Sequence, residues 1–147
     1  MLKSFLSLFS DPAAPALTSG DAEFAIAVLL VRLARADGDY EEAERARIDR
    51  VLAAPDGLSP WEAADLRGRA EEAESLAPDT VRFTRVIKDR IAYEDRIAVI
   101  EALWDVAFAD HVRDAEEDAL IRLTANLLGI NDRDSALARQ RVEARRA

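Results

Sequence analysis

The chain has 147 residues, half of them hydrophobic and a third charged, with 29 acidic against 20 basic side chains and a formal net charge of −9. That length suits one domain with a real core, and the acidic balance argues against nucleic acid, which needs a basic face, while favouring cations or basic partners. With no cysteine, and His111 as the single histidine, disulfides, thiolate chemistry, zinc sites of the usual nitrogen and sulfur kind and His-based triads are excluded.

Residues 1–10 read as a short amphipathic helix, because Leu2, Phe5, Leu6 and Phe9 share one face at helical spacing. That face can dock on the rest of the chain or meet a membrane surface or a partner, although Lys3 alone gives little electrostatic pull towards lipid. A linker broken by Pro12 and Pro15 follows. The next helix spans about Thr18 to Asp37, is apolar nearly all round from Phe24 to Leu33, and is expected at the centre of the fold. Its longest apolar run, Phe24 to Val31, is too short to cross a bilayer, and the chain shows no signal-peptide cleavage pattern. The expectation is a cytoplasmic protein with no transmembrane segment, with peripheral association at the inner face of the membrane left open.

Gly38 ends that helix by taking a left-handed conformation. A helix from about Glu41 to Ala54 carries Ala46, Ile48, Val51 and Leu52 inward, and Ala54 to Gly57 make a turn. Ser59-Pro60-Trp61-Glu62 is a strong helix start, with a serine cap, proline at the first helical position and glutamate completing the capping box. That helix lasts to about Glu74. The second half has helices at about Thr80–Arg90, burying Val81, Phe83 and Ile87 or residues near them, and at about Glu94–Asp110. Two more run from Asp114 to Leu128, stopped by Gly129, and from Asp132 or Asp134 to the arginine-rich end. Trp61 and Trp104 are expected in the core. The sum is eight helices and no strands: one compact all-α bundle over residues 1–147.

The chain repeats itself. Ala34-x-Ala36-Asp37 is followed, after six intervening residues, by Glu44, and Ala107-x-Ala109-Asp110, after six, by Glu117, displaced by 73 positions. Without a gap, identities also fall at Ala25/Ala98, Leu30/Leu103, Ala46/Ala119 and Ile48/Ile121. A period of this size asks for a repeat reading first. Residues 1–73 and 74–147 then form two pseudo-symmetric four-helix halves of one bundle.

The candidate chemistry lies at the repeated turns. Asp37 and Asp110 each put a carboxylate at the C-terminal end of an apolar helix, where the helix dipole disfavours it by a few tenths to about 1 kcal/mol. Such placement at two matching positions calls for compensation from the next helix's N-terminus, from an arginine, or from a bound cation. Glu44 and Glu117 could turn back to the same points. An EF-hand loop does not fit: Asp37, Asp39 and Glu41 take its first, third and fifth positions, but Glu42 stands where glycine is required and Ile48 where the bidentate glutamate belongs. A metal bound here would be a hard, oxygen-ligated divalent cation, Ca²⁺ or Mg²⁺, held by Asp37, Glu44, Asp110 and Glu117. The competing reading makes Glu41 with Glu44 and Asp114 with Glu117 capping boxes, the first a loose fit, and has Asp37 and Asp110 bond only the turn backbone. A glycosidase-like carboxylate pair is a third reading, without a sugar-binding aromatic platform to support it. His111 takes the place of the first turn's glycine and reads as exposed and idle.

These residues resemble the TerB family, the tellurite-resistance TerB-like helical proteins. The likeness rests on Ala36-Asp37-Gly38 with Glu44 and Ile48, on Arg82-Phe83-Thr84, and on Glu94-Asp95-Arg96 through Leu103-Trp104 to Ala109-Asp110, Glu117 and Leu127-Leu128-Gly129. It covers the chain from about Ala22 onward. His111 is a departure from the second motif's glycine. The resemblance implies an all-helical bundle whose paired Asp and Glu positions form an acidic centre suspected of binding metal. A similar domain occurs beside J-domains in membrane-associated co-chaperones, so the resemblance also implies a part in stress or metal-resistance complexes near membranes rather than an enzymatic activity. The functional expectation is a non-enzymatic, cation-binding helical scaffold or sensor with protein partners and no nucleic acid. The alternative is a metal-free interaction module whose carboxylates are caps.

Overall fold

The computed structural model describes residues 19–36, 38, 40–53, 57–77, 79–109 and 115–146. They form seven helices and no strand: α1 Ser19–Ala34, α2 Glu42–Leu52, α3 Pro60–Leu76, α4 Val81–Arg90, α5 Tyr93–Ala107, α6 Ala115–Leu127 and α7 Asp132–Arg146. Eight were expected. The other one, over residues 1–10, lies outside the described residues, as does the linker after it. No helix among the described residues is long and apolar enough to cross a membrane.

α1 is the axis of the fold. Ala25 to Val31, Leu33 and Ala34 are all buried, as the apolar circumference of this helix requires, and α1 packs on α2, α3, α4, α5 and α6. Its alanines let the neighbouring helices approach closely. α5 is the second hub, packing on α7, α1, α2, α6 and α4. Ile26, Leu30, Leu33, Ile48, Leu52, Ile100, Leu103, Ile121 and Leu128 are fully buried between them, each contributing on the order of 1.5–3 kcal/mol by leaving water. The repeat is legible in this interior: Leu30 and Leu103, Ala34 and Ala107, and Ile48 and Ile121 are buried at both copies.

The helix ends follow their local chemistry. Ser59 Oγ accepts from the Glu62 N–H at 3.1 Å and Glu62 Oε1 accepts from the Ser59 N–H at 2.9 Å, with Pro60 at the first helical position. Gly129 has φ +75°, and the Ile130 N–H reaches Ala125 O while the Gly129 N–H reaches Asn126 O, the double bond of a Schellman stop. Two core assignments fail. Trp61, the second residue of α3, is 76% exposed, because helical spacing puts it on the face opposite Ala63, Leu66 and Ala70, which are the residues α3 buries. Val81 opens α4 and is 41% exposed, while its neighbour Thr80 takes the buried place.

Candidate functional site

The two repeated turns close with the same backbone bonds. The Arg35 N–H donates to Val31 O and the Ala36 N–H to Leu33 O; 73 positions on, Phe108 donates to Trp104 O and Ala109 to Val106 O, all four at 3.0–3.1 Å. Each set tightens the last turn of a hub helix immediately before the motif aspartate. Gly38 then has φ +82°, the left-handed conformation read from its sequence position. Asp37, Asp39, Asp110, His111 and Asp114 lie outside the described residues, so the expectations resting on them, the second capping box and the idle histidine included, do too.

Glu44 and Glu117 are described, and both are buried, 0% and 1% exposed. Each is the third residue of its helix, α2 or α6, and an apolar isoleucine, Ile48 or Ile121, sits one turn further along the same face. Burying a carboxylate is unfavourable unless a hydrogen bond, a proton or a cation compensates it. Glu44 Oε1 accepts from the Glu41 N–H at 3.0 Å, so the Glu41–Glu44 capping box forms despite the weakness of glutamate as a cap. α2 and α6 each pack on both hubs, α1 and α5. The two buried carboxylates therefore enter the same core from two helices. Among the described residues no group of three or more His, Cys, Asp or Glu side chains could hold a metal.

Arginines crowd the first turn, a feature sequence reading raised only as one way to compensate Asp37. Arg32 and Arg35, at the end of α1, both reach Glu74 on α3, Arg32 Nε at 3.1 Å and Arg35 Nη1 at 2.7 Å. Arg32 also donates to Ala77 O at 2.6 Å and Arg35 to Glu71 O at 3.0 Å. Tyr40, just past the turn, donates to Glu71 Oε2 at 2.7 Å, with the Arg35 and Arg45 guanidiniums 5.1 and 4.6 Å from its ring centre. Arg67 joins Glu71 to Asp49 on α2, at 2.8 and 2.6 Å. Burial, then the bond to Glu71, pushes the Tyr40 phenol well above its ordinary value. Burial pushes the Glu71 carboxyl up as well, yet the bonds from Tyr40 and Arg67 and the charges of Arg67 and Arg35 outweigh it and hold that carboxyl below the usual range. The residues flanking Asp37 to Asp39 are thus tied to α3 on both sides. The spacing of Arg67 and Glu71, one helical turn apart, was the signal available in the sequence.

The second turn inverts this polarity. Asp105 stands 73 positions after Arg32, and it receives Arg146 of α7 at 3.2 Å and Arg47 of α2 at 3.6 Å. Arg146 also donates to Phe108 O at 2.8 Å. Burial lowers the Arg47 guanidinium from its ordinary value, with Asp105 opposing that shift. Ion pairs thus pin α1 to α3 and α5 to α7, with the signs exchanged.

A family model described as tellurite resistance protein TerB matches residues 23–140 of the chain. No curated protein and no solved structure is similar enough to match.

Proposed function

Since this chain belongs to the tellurite resistance protein TerB family, we propose that it is a non-enzymatic helical scaffold or sensor of a tellurite-resistance-type stress assembly, and that it works by binding a divalent cation. Glu44 and Glu117, with Asp37 and Asp110 from the repeated turns, would hold the ion, and their hard oxygen donors suit Ca²⁺ or Mg²⁺. The observation that carries this reading is the complete burial of Glu44 and Glu117 at matching helix positions, where surface caps would leave their carboxylates in water. In the same reading the two halves of the bundle are related by a pseudo-twofold axis. The correspondence of α1, α2 and α3 with α5, α6 and α7, and the packing of α2 on α5 alongside that of α6 on α1, support it. Bound cation would neutralise the acidic centre and stiffen both turns, which is how a scaffold could report ion level to protein partners in the cytoplasm or at the inner face of the membrane.

The bond from the Glu41 N–H to Glu44 Oε1 favours a second reading, a metal-free protein interaction module in which the buried glutamates only cap their helices. Calorimetric titration of metal-stripped protein with Ca²⁺, Mg²⁺ and Mn²⁺ separates the two. Saturable heat from at least one ion is the expected result; none from any of them leaves the interaction module.

A further inference from the structure

The α6–α7 seam departs from its counterpart in the first half. Along α3, which packs on α1 and α2, Ala63, Leu66 and Ala70 are buried. The residues 73 positions on, Ala136, Arg139 and Glu143 of α7, are exposed or half-exposed, and a cleft of about 650 Å³ lies between α6 and α7 beside Trp104, a size typical of ligand sites. The ion pair of Asp49 and Arg67 crosses the first seam. Its counterparts at the second, Arg122 and Gln140, both line the cleft, and Arg122 makes no ion pair among the described residues. An acid–base pair in one half has become a guanidinium and a neutral amide in the other.

A second cation is set in place beside it. The Trp104 ring stacks with Phe108 at 5.6 Å and carries the Arg139 guanidinium 5.3 Å from its centre, a contact in which tryptophan is the best partner. Arg139 Nε is buried and lacks a hydrogen-bond acceptor; Glu143 Oε1, at 3.4 Å, pairs with its charge without taking that N–H. Arg122 and Arg139 therefore offer planar, charge-assisted donors of the kind that recognise a carboxylate. Asp118, Asp132 and Glu143 line the same cleft, so a ligand with only negative charge is repelled and one with a cation beside its carboxylate is matched.

We infer that the α6–α7 cleft docks a mixed-charge peptide segment of a partner protein, its carboxylate taken by Arg122 and Arg139 and its adjacent cation by Asp118 and Glu143. The net charge of −9 works in the same direction, since it disfavours a purely acidic partner at long range. The site shares no residue with the cation centre and stands or falls apart from it.

The test uses the full chain carrying Trp61→Phe, which leaves Trp104 as the sole fluorescent tryptophan. Four blocked tetrapeptides are titrated: alternating glutamate and lysine, all glutamate, all lysine and all serine. Saturable change in Trp104 emission is expected with the alternating peptide, several-fold weaker binding with all glutamate, and no response to the other two. Arg122→Gln should weaken the alternating peptide about tenfold, the effect of one charge-assisted bond, with unchanged circular dichroism. Equal responses to all four peptides, tightest binding by all lysine, no saturable response to any, or an Arg122→Gln variant that binds like the parent would each overturn the inference.

Discussion

One substitution, made at two glycines, should have opposite effects on stability. At Gly38 the backbone φ is +82°, and a Cβ built there meets nothing within 4 Å. The whole effect of Gly38→Ala is then the left-handed backbone, about 1 kcal/mol destabilising for a residue with a Cβ. Gly68 lies inside α3, exposed, and a Cβ there also meets nothing within 4 Å. Gly68→Ala removes backbone freedom from the unfolded chain without strain, a gain of about 0.5–1 kcal/mol. For a chain of this size the two variants should melt roughly 3–8 °C apart, with the parent between them. Thermal melts by circular dichroism, backed by urea titrations, measure this directly. Shifts of the same sign, or a neutral Gly38→Ala, would refute the reasoning that this turn needs glycine for its backbone alone.

Glu74→Gln should destabilise by about 1–2 kcal/mol, because it weakens bonds from both Arg32 and Arg35 at partly buried positions; a urea midpoint within experimental error of the parent would count against that anchor. Tyr40 is raised by burial and its bond to Glu71, and Tyr93 by its bond to Asp134 and burial, so native protein at pH 10 should show clearly less phenolate absorbance than unfolded protein, which is about half titrated. Because these folded values are raised, the stability they add is complete below about pH 10 and is lost as pH climbs through the folded values; half-formed phenolate in the native protein at pH 10 would contradict this. Glu71 runs the other way: its folded value is depressed, its contribution is present above about pH 4.3 and fades as pH falls through the folded value. The melting temperature should drop on acidification, and Glu71→Gln should flatten that drop; an identical acid profile in the variant would remove the network's role.

The helices were legible wherever their signals were local. Pro60 with Ser59 and Glu62 marked a helix start, Gly38 and Gly129 marked helix ends, and the apolar circumference of α1 announced its central place. Glu44 and Glu117 could be singled out because the repeat aligns them, but their burial could not be read from it, since a capping glutamate is as often wet as dry. Trp61 was misjudged because its hydrophobicity does not say which face of α3 the packing covers, and the buried face is that of Ala63, Leu66 and Ala70. The bonds of Arg32, Arg35 and Tyr40 to Glu71 and Glu74 join residues 31 to 42 positions apart, contacts that only the packing of α3 against the end of α1 creates. The α6–α7 cleft was hidden for a related reason: Arg139 and Glu143 look like ordinary surface residues until Leu66 and Ala70 show what their positions do in the other half.

The cation reading is tested most directly by the melting temperature of metal-stripped protein with and without Ca²⁺, Mg²⁺ or Mn²⁺, in the parent and in the Glu44→Gln, Glu117→Gln double variant. An ion that binds only the folded state adds about 2.7 kcal/mol at a hundredfold excess over its Kd, and glutamine keeps the size and the hydrogen-bonding oxygen while removing the charge. The account predicts a clear upward shift in the parent and none in the double variant. An unmoved parent, or a double variant that keeps the shift, would contradict it.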